Sequence, residues 1–190
     1  MKKEIITISG LPGSGKSSTA NKVAEALNYK RFSTGDFMRN IALDMNLSLN
    51  ELSKIAENDN GEIDKRIDDE NRKLKQQNQF VIDSRLAFHF IPNSFKVFLD
   101  LPLEISKERI MKNLKLNALR QKSEKAENLE EVYKNIQERL ASEKKRYKEL
   151  YNIDYTQKEN FDLVINTNEN NLEETVEIIL NEYNNWLNNN

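Results

Sequence analysis

Three of the chain's five glycines fall within six residues, in the string Gly10-Leu11-Pro12-Gly13-Ser14-Gly15-Lys16-Ser17. The string satisfies G-x-x-x-x-G-K-[ST], a loop whose backbone N–H groups wrap around phosphates. Its flanks suit that geometry. Residues 4–8 form a short β-rich apolar run, and residues 18–28 carry Ala20, Val23, Ala24 and Leu27 at helical spacing. A strand, a tight loop and a helix N-terminus make a concave anion site in which the helix dipole favours negative charge. In such a loop Lys16 reaches the β- and γ-phosphates of a nucleoside triphosphate, and the Ser17 hydroxyl sits on Mg²⁺. A plain turn between strand and helix has no need of three glycines and Lys-Ser in this register.

Composition narrows the partners. At 190 residues the chain suits one domain, 1–190, with small insertions. Net charge is −2 with 32% charged residues, so no general basic field points to nucleic acid. Zero cysteines exclude disulfides and cysteine-held metals, and agree with a reducing cytoplasm. The apolar run after Met1-Lys2-Lys3 is too short for a targeting segment and leads straight into the glycine loop. No stretch approaches membrane-spanning length. The expectation is a cytoplasmic monomer working on small molecules.

Five β-like runs, at 4–9, 29–33, 79–83, 95–100 and 161–166, alternate with helical patterns, which predicts a five-stranded parallel α/β sheet flanked by helices. Ser48-x-x-Glu51 reads as a capping box opening a helix with the stripe Leu49, Leu52, Ile55 and Ala56. Gly61 breaks the chain before a helix bearing Ile63, Ile67 and Leu74. From 101 to about 151 the pattern is charged and helical, interrupted near 121–128, and Leu172, Val176, Ile179, Leu180 and Tyr183 mark a last amphipathic helix. Two stretches, about 37–77 and about 117–155, lie outside the simple alternation. In a phosphate-loop kinase they are the places for an insert that holds the monophosphate and for a helical lid.

Further residues carry chemistry. Ser33-Thr34-Gly35-Asp36-Phe37-Met38-Arg39 closes the second strand and opens a helix. Asp36 could simply cap it, with Arg39 on the surface. In functional terms, Arg39 grips a substrate phosphate with its planar fork. Asp83, leaving an apolar strand, is either a strand-end cap or the carboxylate that meets Mg²⁺ directly or through water. Arg85 points to the same side and can reach the acceptor phosphate. Arg139 and Arg146, seven residues apart, share one helix face; such a charge run is either a solvated face or a lid that meets the transferring phosphoryl. The lone His89, between two phenylalanines, reads as a packed aromatic rather than a base. A kinase whose acceptor is already an ionised phosphate needs no base, unlike one acting on a hydroxyl.

Together, residues 10–18, the STGD-x-x-R segment at 33–39, Glu62-Ile63-Asp64, Asp83-Ser84-Arg85-Leu86-Ala87, and Glu138-Arg139 through Arg146-Tyr147 resemble the short, archaeal-type branch of the cytidylate kinases. The resemblance spans nearly the whole chain. It implies a nucleoside monophosphate kinase that uses ATP and Mg²⁺ to convert CMP or dCMP to the diphosphate. By position, Gly10, Leu11, Pro12, Gly13, Ser14, Gly15, Lys16, Ser17 and Ser18 would hold ATP. Ser33, Gly35, Asp36, Arg39 and Arg85 would serve the monophosphate, Ser17 and Asp83 the metal, and Lys16, Arg85, Arg139 and Arg146 the transfer. Leu86 stands where longer bacterial relatives carry an Asp that helps read cytosine. The STGD-x-x-R pattern also belongs to adenylate kinases, but their D-G-F-P-R spacing after the third strand is absent. A third possibility is an ATP-binding switch without an acceptor.

Overall fold

A computed structural model describes residues 3–114, 116, 118–124 and 126–189. Among them, β1 (Ile5–Gly10), β2 (Lys30–Ser33), β3 (Phe80–Asp83), β4 (Phe95–Asp100) and β5 (Leu163–Asn166) form one sheet in the order β2-β3-β1-β4-β5. Every neighbouring pair is parallel. Parallel neighbours need long crossovers, and helices supply them. The helices are α1 (Lys16–Leu27), α2 (Thr34–Asp44), α3 (Leu49–Ala56), α4 (Glu62–Leu74), α5 (Ala87–Phe90), α6 (Leu103–Leu114), α7 (Ala118–Ser123), α8 (Leu129–Tyr151) and α9 (Leu172–Asn188).

The central strand β1 reads Ile-Ile-Thr-Ile-Ser-Gly and is buried along its whole length, because helices cover both faces of the sheet. On one face Ile6, Ile8, Val97, Leu99 and Ile165 pack against Val23 of α1 and Ile179 and Tyr183 of α9. On the other, Ile5, Phe80 and Ile82 meet Ala87 and Ile91. Register sets Ser33 beside Asp83 and Ile8 beside Asp83, so the carboxyl ends of β1, β2 and β3 converge at one edge. The strand order reverses at β1, and a crevice opens at such a switch point in parallel sheets.

Helices α2, α3 and α4 enclose an apolar cluster of their own, built on Ile41, Ala42, Leu52, Ala56, Ile63 and Ile67. The capping box opening α3 is present: Ser48 accepts from the Glu51 N–H, and the Glu51 carboxylate accepts from the Ser48 N–H. The α3 stripe is narrower than the sequence suggested, for Ile55 is 41% exposed. The predicted interruption at 121–128 holds the end of α7 and the Asn128 cap, whose side chain accepts from the Glu131 N–H. The lid expectation opens at Asn117, which lies outside the described residues, as do Met1 and Lys2. β5 begins at Leu163 rather than 161, since Phe161 turns its ring into Phe88 and Phe98 and the Asp162 carboxylate accepts from the Lys96 N–H. Helix α5, a single turn, had no clear signal in the sequence.

Ile8 is fully buried at the sheet centre, whereas Val164 on the edge strand is 38% exposed. Ile8→Ala is expected to lower the unfolding free energy by about 2–5 kcal/mol, from the lost apolar burial together with the cavity left behind. Val164→Ala should change it by less than about 1 kcal/mol. Paired urea titrations check the contrast.

Candidate active site

The glycine loop is held against the strand and helix beside it. A Cβ on Gly10 would stand 2.3 Å from the Leu99 carbonyl oxygen of β4. Gly13 has φ of +75° and is packed against Ser106 of α6, whose hydroxyl donates to the Pro12 carbonyl. Only glycine fits both places. Helix α1 then starts at Lys16 with no side chain capping its first N–H groups, and such a start favours an anion. The Lys16 ammonium donates to the carbonyls of Gly10 at 2.9 Å and Leu11 at 2.7 Å. Burial first, and Arg85 second, hold Lys16 well below the ordinary lysine range.

Asp83 ties three elements together. Its carboxylate accepts from the Ser17 hydroxyl of α1 at 2.8 Å and from the Ser33 hydroxyl at the end of β2 at 3.0 Å. It also accepts from Nε and Nη2 of Arg31, at 3.1 and 2.8 Å. Burial raises its pKa, against the pull of Arg31 and the two hydroxyls. Arg31 in turn pairs with Asp36 at 3.2 Å, and Asp36 pairs with Arg39 at 3.1 Å. Ser33 is the residue that caps α2, accepting from the Asp36 N–H, so Asp36 sits within the first turn and is not the cap.

A second group of charges gathers around Glu143 of α8. Its carboxylate pairs with Arg85 at 2.5 Å and Arg139 at 3.7 Å, and accepts from the Tyr155 hydroxyl at 3.2 Å. Even so, Nη2 of Arg85 and Nε of Arg139 are buried with no hydrogen-bond partner. Burial and Arg85 lower the Arg139 pKa, while burial, with Arg39 and Arg139 nearby, lowers that of Arg120 to about 10. Glu124 joins this ring through Arg39 at 3.0 Å and Arg120 at 3.7 Å. Cations that depress one another in this way would be relieved by a polyanion.

One pocket brings most of the predicted residues together. Pro12, Gly13, Gly15, Lys16, Ser17 and Ser18 line it with Gly35, Arg39, Asp83, Arg85 and Arg139. Ser33 and Asp36 reach it through their bonds to Asp83 and Arg39. Gly10, Leu11 and Ser14 stand behind the wall, with Leu11 packed into the apolar cluster of α6 and α8. Arg146 is set apart from the loop: it is almost fully buried, with Nε 2.7 Å from Asp64 of α4. His89 is exposed, its ring edge-on to Phe90 at 4.9 Å, so it is a surface ring rather than a packed one. The sequence pattern did not mark Arg31, Arg120, Glu124 or Glu143. Glu143 had a signal, four residues beyond Arg139 on the same helix face; Arg31, in a short strand, had none.

Among the described residues no three acidic or histidine side chains gather as a metal cage, and no helix is long and apolar enough to cross a membrane. The parallel sheet, the wrapped glycine loop and the ring of buried arginines define a phosphate-loop kinase. A shikimate kinase from Acinetobacter baumannii, seen with shikimate, has this fold: TM-score 0.59 at 17% identity, over 95% of this chain and 92% of that one. Residues 5–169 match the cytidylate kinase-like family, and the chain belongs to it. Cytidylate kinases from Methanosphaera stadtmanae and Methanocaldococcus jannaschii are 35% and 37% identical to it. Each match covers 92% of this chain, and 95% and 94% of the relatives respectively.

Glu143 is the counter-charge of two buried guanidiniums. Glu143→Gln keeps the shape and removes that charge, and is expected to destabilise the fold by about 3–5 kcal/mol. Equilibrium unfolding at neutral pH measures it, and a loss below about 1 kcal/mol would show that Arg85 and Arg139 do not depend on Glu143.

Proposed function

We propose that the chain transfers the γ-phosphoryl group of ATP to CMP or dCMP, giving ADP and the pyrimidine diphosphate, as a cytoplasmic monomer. The observation that carries this reading is the pair of arginines, Arg85 and Arg139, buried beside the glycine loop with guanidinium nitrogens that lack a hydrogen-bond partner and with one carboxylate, Glu143, shared between them. Two phosphate groups, one arriving from each side, would satisfy them. Family membership and the full-length likeness to archaeal cytidylate kinases support the cytidine acceptor over an AMP-specific enzyme or a switch.

The residues suit ATP and Mg²⁺. Gly10 to Ser18 offer backbone N–H groups and a helix start to the triphosphate, and Ser17 and Asp83 present two adjacent oxygens of the kind a hard cation takes. Bound Mg²⁺ would neutralise phosphate charge. Lys16, Arg85 and Arg139 then supply fixed positive charge where the transferring group becomes most negative. Arg39, steered by Asp36, grips the acceptor phosphate and aligns it. Arg146, two turns further along α8 than Arg139, holds Asp64 and with it the acceptor side. The acceptor oxygen needs no base, since the second ionisation of a phosphate monoester lies near about pH 6. In this reading α2–α4 form the insert that holds the monophosphate, and the segment to about 155 that contains α7 and α8 forms the lid.

Two variants separate the ends of the site. Lys16→Ala is expected to lower kcat roughly 10²–10³-fold, the scale of one lost preorganised donor. Arg39→Ala should instead raise KM for CMP much more than KM for ATP. A coupled assay with ATP, Mg²⁺ and CMP reads both. Near-normal turnover without Lys16, or equal shifts in the two KM values without Arg39, would overturn these roles.

A further inference from the structure

Helix α4 buries an unusual face. Its buried residues are Ile63, Asp64, Ile67, Asp68 and Asn71, three polar side chains among five. Buried carboxylates and amides are retained where partners satisfy them, and here each has a named one. Asp64 is committed to Arg146 in an ion pair with both side chains 3% exposed. Asp68 accepts a hydrogen bond from the Tyr151 hydroxyl. The Asn71 side-chain oxygen accepts from the Thr34 hydroxyl at 3.5 Å, which turns the amide nitrogen, a donor, away from Thr34. Asp64, Asp68 and Asn71 all line the pocket that holds the glycine loop and Arg85. Met38, Leu49, Ile67 and Leu86 add apolar surface to the same pocket. Fixed polar groups on an apolar wall are what orient a flat heterocycle.

We propose that Asp68 and Asn71 read the base of the acceptor nucleotide, Asp68 accepting from the 4-amino group of cytosine and Asn71 donating to its ring N3. The inference rests on the functional reading above and names the residues that select the base. Burial pushes the Asp68 carboxyl up to about 6, so above roughly pH 7 it is chiefly an acceptor. Uracil inverts both contacts: its O4 faces the carboxylate and its N3–H faces the amide donor. Adenine presents an amino group and a ring acceptor in the same order as cytosine. The pair therefore tells amino bases from keto bases, and the size of the pocket must tell cytosine from adenine. Tyr151 and Thr34 are positioning residues that hold the two readers in orientation. This also accounts for cytosine reading in a chain that has Leu86 after Arg85, since the polar groups come from α4 instead.

The test is the ratio of kcat/KM for CMP to that for UMP, in which any general loss of activity cancels. In Asp68→Asn the Tyr151 hydroxyl keeps the amide oxygen, so the NH₂ group faces the base. The ratio is expected to fall by about ten- to a hundredfold, the range for one mismatched base contact. If that variant does not fold, Asn71→Asp takes its place and should lower the same ratio, because a carboxylate there opposes cytosine N3 and accepts from uracil N3–H. A ratio that stays within about twofold of the wild type in whichever variant folds would overturn the assignment, since one lost base contact is worth at least about fivefold. A wild-type enzyme inactive on both CMP and UMP would instead defeat the functional reading, and the inference with it.

Discussion

The site depends on holding like charges close together out of water. Burial first, and the neighbouring Arg85 second, depress the Lys16 and Arg139 pKa values, and Glu143 is the carboxylate that pairs with both arginines. An isolated buried charge costs several kcal/mol after relaxation, so this arrangement stands only where the surrounding fold enforces it. The sheet does so from below. Leu99 and Ser106 fix the loop that carries Lys16, and Asp83 fixes Ser17, Ser33 and Arg31. Helix α8 does so from above, bringing Glu143 and Arg139 on one turn. Stability is thus given up at the place where a polyphosphate would restore it, a trade expected of a preorganised electrostatic site.

The same helix binds the flanking elements to one another. Asn135 accepts from Asn50 of α3 at 2.8 Å, Glu138 pairs with Lys54 of α3 at 3.3 Å, and Arg146 and Tyr151 hold Asp64 and Asp68 of α4. The exposed pairs contribute little stability. The buried Arg146–Asp64 pair is different, because parting it would leave two uncompensated charges in the interior. Helices α2–α4 keep an apolar cluster of their own, while the polar contacts of α3 and α4 run to α8 and Arg39 of α2 pairs with Glu124 beyond α7. That division suits a body able to move as a unit whose position on α8 is set by a few charged bonds.

Much of this was legible in the sequence. The glycine string between a strand pattern and a helix pattern located the loop, because backbone that must wrap closely has no substitute for glycine at Gly10 and Gly13. Strands declared themselves by apolar runs, and the cap at Ser48 by its partner Glu51. The carboxylate at Asp83 stood out as a charge at the end of a buried strand. What stayed hidden was pairing across the chain. Nothing near Arg31 says that it meets a residue as far along the chain as Asp83, and the spacing that sets Arg139, Glu143 and Arg146 on one face of α8 does not say which partners on other elements bury them. The polar face of α4 was hidden in part for the same reason: Asp64 entered only through the resemblance of Glu62-Ile63-Asp64, and nothing in the helix pattern says that α8 buries Asp64 and Asp68. Periodicity reports which face is apolar; it cannot report a polar face that becomes buried.

A cation-lined pocket of this shape joins a triphosphate to a nucleotide's own phosphate. Phosphorus NMR of the wild-type protein with ATP, Mg²⁺ and CMP tests that directly, because it identifies every phosphate product at once. ADP and CDP should rise in equal amounts, with no inorganic phosphate beyond the uncatalysed background. ADP accompanied by inorganic phosphate and no CDP would contradict it.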